Sequence, residues 1–393
     1  MRKYFITGLF ICLMCASLGL LFGPTDTASI LEENREPQAM PKMNFSDLWN
    51  GKFSSDFEQY VNDHVAFRGK LMGVSDKIRS RMGYIPDDIG RIIDVSSDIG
   101  TGEANEGRLV VYDGYIMEMF KKNDETNTKY AESLNEIRRS LPKDVRMYSM
   151  LIPTALEFSS QMYSSMQDSQ KEAIDSVNDK LSGVFPVDAY SALQSSDDEY
   201  LYFKTDHHWT MDGAYCAYEK FMEMSGGSPV LKSDFSRREN GNFHGSLYLK
   251  AKSQLIEQEQ DLVFYYDVTE KNDFDIKMRA EDNVTEYGVG SPMFQTDKNN
   301  YLLFFGGDNP LMEITNKSNP EGKTIVVIKD SYANALLPWI ASSYHKVIVI
   351  DPRSFGGSVT EEANNYSADE VLVVNYVFST TFSDYCDMLT NIK

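Results

Sequence analysis

Two short motifs hold the residue types that serine acyl transfer needs. One is Thr205-Asp206-His207-His208-Trp209; the other is Lys329-Asp330-Ser331-Tyr332-Ala333-Asn334. The first supplies a carboxylate and an imidazole two positions apart, so in an extended loop both side chains point the same way. The second places a hydroxyl just beyond the apolar run Thr324-Ile325-Val326-Val327-Ile328. A serine becomes a nucleophile when an imidazole takes its proton. The imidazole does this best when a carboxylate fixes its tautomer and stabilises the imidazolium that forms. Ser331, His208 and Asp206 are therefore the candidate nucleophile, base and orienting acid. Their order along the chain is no objection, because such triads are defined by role and geometry.

Each motif also has a plainer reading. Asp330 or Ser331 can simply cap a helix. A histidine pair can bind metal, with Asp206, His207, His208 and His244 as the ligands of a metal-dependent hydrolase; His64 and His345 read as surface residues. That metal reading is the less favoured one, and the preferred chemistry requires neither metal nor cofactor. Ser246, in Gly245-Ser246-Leu247, is a rival nucleophile but lacks a strand-to-helix setting. Trp209 can wall the site or stack on a sugar ring.

A serine at the end of a buried strand needs a sheet to hold it. Thr324–Ile328 reads as such a strand, followed by a helix over Ala333–Ser343, a strand over Val347–Ile350, a helical stretch over Thr360–Asn365 and a strand over Val371–Asn375. Upstream, strands are expected at Leu109–Tyr112, Arg146–Ile152 and Gly183–Val187. Helices are expected at Asn127–Leu141, stopped by Pro142, at Lys171–Leu181, and at Asp212–Met224, ended by Gly226-Gly227. Alternating strands and helices with β-branched runs imply an α/β fold, a parallel sheet flanked by helices on both faces. Residues from about 240 to 300 alternate differently and read as an antiparallel or irregular insertion. In an open parallel sheet ligands bind beyond the carboxyl ends of the strands. Arg353 and Tyr376, which follow the next two strands, are therefore candidate substrate or oxyanion contacts.

The chain has 393 residues, 42% of them hydrophobic and 12% aromatic, ample for a large core. Acidic residues outnumber basic ones 59 to 38, for a net charge of −21. That balance argues against nucleic acid and polyanionic partners and fits a neutral or cationic one. The N-terminus carries Arg2 and Lys3, an apolar run from Tyr4 to Phe22, and then Gly23-Pro24. Residues 1–25 are expected to be a signal anchor, with a cleaved signal peptide as the alternative, which places the rest outside the cytoplasm. Residues 26–45 read as a linker and 46–393 as the catalytic domain. The apolar spacing from Phe53 to Met82 fits one or two amphipathic helices. Outside the apolar segment the cysteines are Cys216 and Cys386, which can pair only if the fold brings them together.

With these residues in view, the chain resembles the DHHW protein family, itself similar to the SGNH-hydrolase-like domains of alginate O-acetylation proteins. The resemblance rests on Asp206-His207-His208-Trp209 with Asp330-Ser331-Tyr332. Weaker landmarks are Phe57-Glu58-Gln59-Tyr60, Ile152-Pro153-Thr154, Gly245-Ser246-Leu247, Phe305-Gly306-Gly307 and Ile350-Asp351-Pro352-Arg353. It implies an SGNH-hydrolase-like fold with a permuted motif order, since the serine block follows the Asp–His block. It implies Gly306, Gly307, Asn309 or Asn334 as oxyanion candidates. It also implies O-acetylation of a cell-surface or secreted polysaccharide through an acetyl-serine, with acetyl groups delivered by a membrane-bound O-acyltransferase. A polysaccharide acetylesterase and a non-catalytic scaffold of a polysaccharide-export assembly are the alternatives.

Overall fold

The computed structural model describes residues 107–393, apart from 199 and 252–259, with the strand 91–95, residues 40–42, and Phe53, Phe57 and Tyr60. The chain divides into two units, Met1–Ile89 with Tyr248–Gln258, and Gly90–Leu247 with Glu259–Lys393. In the first unit Phe53, Phe57 and Tyr60 are helical. Their rings stack successively at 5.9 and 6.3 Å, as i, i+4 and i, i+3 neighbours on a helix do. The expected N-terminal apolar segment, the linker before Met40, the rest of Phe53–Met82 and His64 lie outside the described residues. Among those described, no helix is long and apolar enough to cross a membrane.

The second unit begins with an antiparallel sheet of β1 (Arg91–Val95), β2 (Gly107–Tyr112) and β3 (Tyr115–Glu118). Then come α1 (Asp124–Ser140), β4 (Arg146–Ile152), α2 (Gln170–Asn178), β5 (Val184–Pro186), α3 (Ala189–Gln194) and α4 (Met211–Ser225). Helix α1 starts earlier than its apolar spacing suggests. The Asn123 side chain accepts from the N–H groups of Glu125 and Thr126, and Asp124 and Glu125 complement the positive end of the helix dipole. Helix α4 ends where expected, at Gly226 in the left-handed region with φ of 78°.

Further along come β6 (Arg237–Phe243), β7 (Asp261–Tyr266), β8 (Phe274–Arg279), β9 (Glu286–Tyr287), β10 (Leu311–Asn316), β11 (Thr324–Lys329), α5 (Leu337–Ser343), β12 (Lys346–Ile350), α6 (Val359–Asn365), β13 (Glu370–Tyr376) and α7 (Ser383–Asn391), with short helical turns between some of them. The central sheet runs β5-β4-β13-β11-β12-β10-β8-β9. Its first five strands are mutually parallel, and β10, β8 and β9 extend it antiparallel. The chain thus has the expected α/β fold, a largely parallel sheet flanked by helices, with one correction. The stretch 240–300 is not wholly an insertion: β6 and β7 pair with each other, but β8 and β9 join the central sheet.

Both faces of the parallel strands are buried, as continuous apolar runs require. Ile325, Val327, Leu372 and Val374 pack on one face with Trp209, Tyr332 and Trp339. Val326, Ile328, Val371 and Val373 pack on the other with Tyr130, Leu134 and Ile137 of α1. Cys216 belongs to the first layer and Cys386 to the second, and both are free thiols. The sheet separates them, so the pairing that composition allowed does not occur. Unfolding without reductant should therefore leave both Cys216 and Cys386 open to iodoacetamide. Recovery of a disulfide-linked peptide by mass spectrometry would refute this arrangement of layers.

Candidate active site

The loop that carries Asp206 and His208 is closed by an isolated bridge between Tyr202 and Trp209, with the Phe203 N–H donating to the His208 carbonyl at 3.2 Å. Thr210 then caps α4. The intervening residues turn tightly enough that Asp206 and His208 face the same side. Asp206 Oδ1 accepts from the His208 backbone N–H at 3.0 Å and lies 2.6 Å from His208 Nδ1. His208 Nε2 is 2.8 Å from Ser331 Oγ. Three residues drawn from two distant segments thus form one hydrogen-bonded line, carboxylate to imidazole to hydroxyl. Asp206 and His208 are 3% and 6% exposed, whereas Ser331 is half-buried and open to a reactant.

Ser331 owes its position to the end of β11. The preceding residue, Asp330, takes the capping role: Oδ1 accepts from the Tyr332 N–H at 3.0 Å. Its Oδ2 accepts from Asn375 Nδ2, the Tyr376 N–H and Ser379 Oγ, tying the turn to β13. Capping and catalysis are thus no longer rivals, since Asp330 does the first and leaves Ser331 free for the second. The turn Ser331–Ala335 is 3-10, and regular α5 follows from Leu337, with Pro338 in its first turn.

Asp206 is a buried charge with a full set of donors. Its second oxygen accepts from the Ser246 N–H at 2.8 Å. Burial alone would raise its pKa. His208, then His207, the hydrogen bond from His208 and the Ser246 N–H outweigh that and hold it well below the ordinary carboxylate range. This stabilisation is present above the unfolded value near pH 4 and is lost as pH falls towards the folded one. Asp261, at the start of β7, anchors the preceding residues: it accepts from Tyr200 Oη, the Lys204 N–H, and the Thr205 N–H and Oγ1 at 2.5–2.7 Å. Burial pushes its carboxyl up, against those four bonds.

The two loops are also joined directly. Trp209 Nε1 donates to the Tyr332 carbonyl at 2.7 Å, and the Tyr332 hydroxyl donates to the His207 carbonyl. Trp209 is fully buried, so it offers no face to a sugar and neither walls nor lines the opening. Tyr376 stacks with Tyr332 at 5.0 Å and with Phe378 at 5.4 Å.

Two of the other candidates, Asn334 and Arg353, belong to a polar cluster at the Ser331–Ala335 turn, in which Lys329 and Asp351 are buried and Asp308 and Arg353 are partly exposed. Lys329, 1% exposed, donates to Asp308 Oδ1 at 2.5 Å and Asn334 Oδ1 at 2.8 Å. The Asn334 amide donates to Asp308, and Arg353 bonds Asp308 and Asp351. Asn334 and Arg353 are therefore both bonded within this cluster. The Gly306 and Gly307 N–H groups close a turn onto Leu302 and Phe304, and both glycines have the positive φ that this turn demands. Asn309 bonds Tyr287 and Gly307. The N–H groups of Gly306 and Gly307 are thus committed to this turn and are not directed at Ser331.

His207 bonds Ser246 Oγ through Nδ1 at 2.7 Å, and its Nδ1 lies 3.6 Å from Asp206. Ser246 thus also meets an imidazole, but the Asp206 carboxylate is turned to His208. Among the described residues, Asp206, His207 and His208 are the one group whose ligating atoms gather within 4.8 Å. His244 is outside it, and both His208 nitrogens are occupied. Sequence reasoning did not single out Asp261, Asp308 or Tyr301. Asp261 left one faint signal, an acid opening an apolar strand.

A family model described as DHHW protein matches residues 56–350. The chain belongs to the DHHW family. A DHHW family protein from Eubacterium siraeum has a similar structure at 25% identity and a TM-score of 0.64, covering 76% of this chain and 98% of its own. Bacillus cereus PatB1 is similar at 21% identity and a TM-score of 0.60, covering 71% and 99%, and has also been solved with a sulfonyl adduct. The O-acetyltransferase domain of Pseudomonas putida AlgJ aligns at 11% identity and a TM-score of 0.43, covering 78% of this chain and 100% of its own. No curated protein matches the chain. The family landmark Gly245-Ser246-Leu247 now has a physical reason. A Cβ on Gly245 would lie 2.3 Å from Asp206 Cβ, and the Gly245 N–H donates to Thr205 Oγ1 at 2.8 Å. Gly245→Ala should therefore push Asp206 away from His208. We expect a loss of about 1–3 kcal/mol in denaturant unfolding and a matching collapse of ester turnover, while wild-type values for both would contradict this packing.

Proposed function

We propose that the chain is a serine-dependent O-acetyltransferase acting on a polysaccharide. The observation that carries this reading is the unbroken line from Asp206 through His208 to the half-open hydroxyl of Ser331. Ser331 Oγ attacks the acetyl carbonyl carbon as its proton passes to His208 Nε2. The tetrahedral oxyanion then collapses, and the donor's leaving oxygen takes that proton from His208. The acetyl group is left on Ser331. A sugar hydroxyl next gives its proton to His208 and attacks the acetyl-serine; collapse of the second intermediate releases the acetylated sugar and returns the proton to Ser331. Asp206 stays charged throughout and stabilises the imidazolium.

The family resemblance supports the rest of the reading: an extracytoplasmic site held at the membrane by the N-terminal segment, a membrane-bound O-acyltransferase as acetyl source, and a cell-surface or secreted polysaccharide as acceptor. An acetylesterase would use the same acyl-enzyme with water as acceptor, and the partial exposure of Ser331 favours keeping that second reading. Both share one test. Incubation with p-nitrophenyl acetate should add one acetyl group to Ser331 by intact mass, and Ser331→Ala and His208→Ala should abolish the adduct. Adding candidate oligosaccharides should then divert acetyl from water to sugar if transfer is the function. Undiminished acetate release at saturating oligosaccharide would favour the esterase, and a folded wild type with no adduct would count against both.

A further inference from the structure

The imidazole of His208 is bonded at both nitrogens, yet hydrogen bonds alone do not fix the plane of a ring. Tyr301 does. Its ring lies against that of His208 with centroids 3.7 Å apart and planes within 10° of parallel. Tyr301 belongs to the short turn Tyr301–Leu303, which the Asn300 side chain caps by accepting from the Leu302 N–H. Its hydroxyl donates to the Tyr332 carbonyl at 3.0 Å and accepts from the Ala335 N–H at 3.2 Å. The phenol is fully spoken for, and its burial keeps it protonated. It is therefore placed to act by its π face and not as an acid or base.

We propose that Tyr301 is a positioning residue for acyl transfer that stabilises the His208 imidazolium through its aromatic face. This inference rests on the reading of His208 as the base for Ser331. When His208 takes the proton of Ser331, a positive charge forms directly against the electron-rich face of a ring that is already in place. A preorganised cation–π contact favours that charged state over the neutral one. The groups facing His208 are Asp206 and His207 from its own loop, Ser331 and Tyr332 from the nucleophile turn, and Tyr301. Asp206 stabilises the same charge in the plane of the ring, and Tyr301 does so across it. The hydroxyl of Tyr301 has a separate task, since it ties the ring to the turn that carries the nucleophile.

The two tasks separate by experiment. Tyr301→Phe removes the hydroxyl and keeps the face, whereas Tyr301→Leu removes both while leaving an apolar cover. Within the Phe background, 4-fluoro-, trifluoro- and pentafluorophenylalanine at position 301 drain the ring of electron density with little change of shape. The readout is the rate of acetyl-enzyme formation from p-nitrophenyl acetate, with circular dichroism and thermal unfolding as controls for folding. We expect the logarithm of the rate to fall steadily along the fluorine series, by roughly two- to thirty-fold in all. Tyr301→Leu should fall at least as far, and Tyr301→Phe should recover most of the difference. A flat fluorine series, with wild type acetylated and Ser331→Ala inert, would overturn this inference and leave the acyl-serine reading standing. A wild type that is never acetylated would overturn both.

Discussion

The site depends on keeping one carboxylate charged almost without water. Asp206 is 3% exposed, and an isolated carboxylate in that setting would sooner take up a proton. It remains ionised because donors from three directions converge on it: the imidazole and backbone of His208, and the N–H of Ser246. Each donor imposes a shape on the chain. The bond to the His208 backbone tightens the loop of residues 203–209. The bond to Ser246 brings residues 245–246 so close that only glycine fits at 245. The bonds from Thr205 and Lys204 to Asp261 keep the loop from drifting towards the solvent.

A second charge cluster, buried at Lys329 and Asp351 and partly exposed at Asp308 and Arg353, adjoins the turn that carries Ser331. Lys329, Asp308, Asp351 and Arg353 lie at the carboxyl ends of β11 and β12, joined by Asn334. Buried ion pairs are weak contributors to net stability, because desolvation offsets their attraction. Their value here is geometric. A lysine one residue before Asp330 cannot slide along the strand without abandoning its partners, so the register of β11 relative to the turn is pinned. The positive-φ turn at Gly306-Gly307 delivers Asp308 to this cluster, which gives that landmark a structural task in place of the oxyanion role its glycines suggested.

Much of this was legible in the sequence because the relevant signals are local. The run Thr324–Ile328 declares a strand buried on both faces, and Asp206 and His208 declare a shared side by their spacing. What stayed hidden is the chemistry supplied from afar. Tyr301 has no local pattern that separates it from the other tyrosines; only its placement against His208 gives it meaning. Arg353 follows a strand end, as the sequence suggests, but its ion pairs with Asp308 and Asp351 come from partners distant or inconspicuous in the sequence. Strand β10 was missed because its apolar alternation is short and follows a glycine-rich turn. Strand β8 was placed in an insertion because antiparallel additions to a parallel sheet carry no local mark. Trp209 was read as a site aromatic from its adjacency, whereas its indole N–H is committed to the Tyr332 carbonyl.

That indole bond has a consequence for how the molecule comes to be made. It joins residues 209 and 332, and Tyr301 reaches the same carbonyl. Contacts of such long sequence separation are entropically late, since a large loop must close before any of them forms. The imidazole therefore has no fixed plane until the final third of the chain has docked. A nascent or partly folded form can possess the whole Asp–His motif and still lack its line to Ser331, so the site is assembled only with completion of the fold.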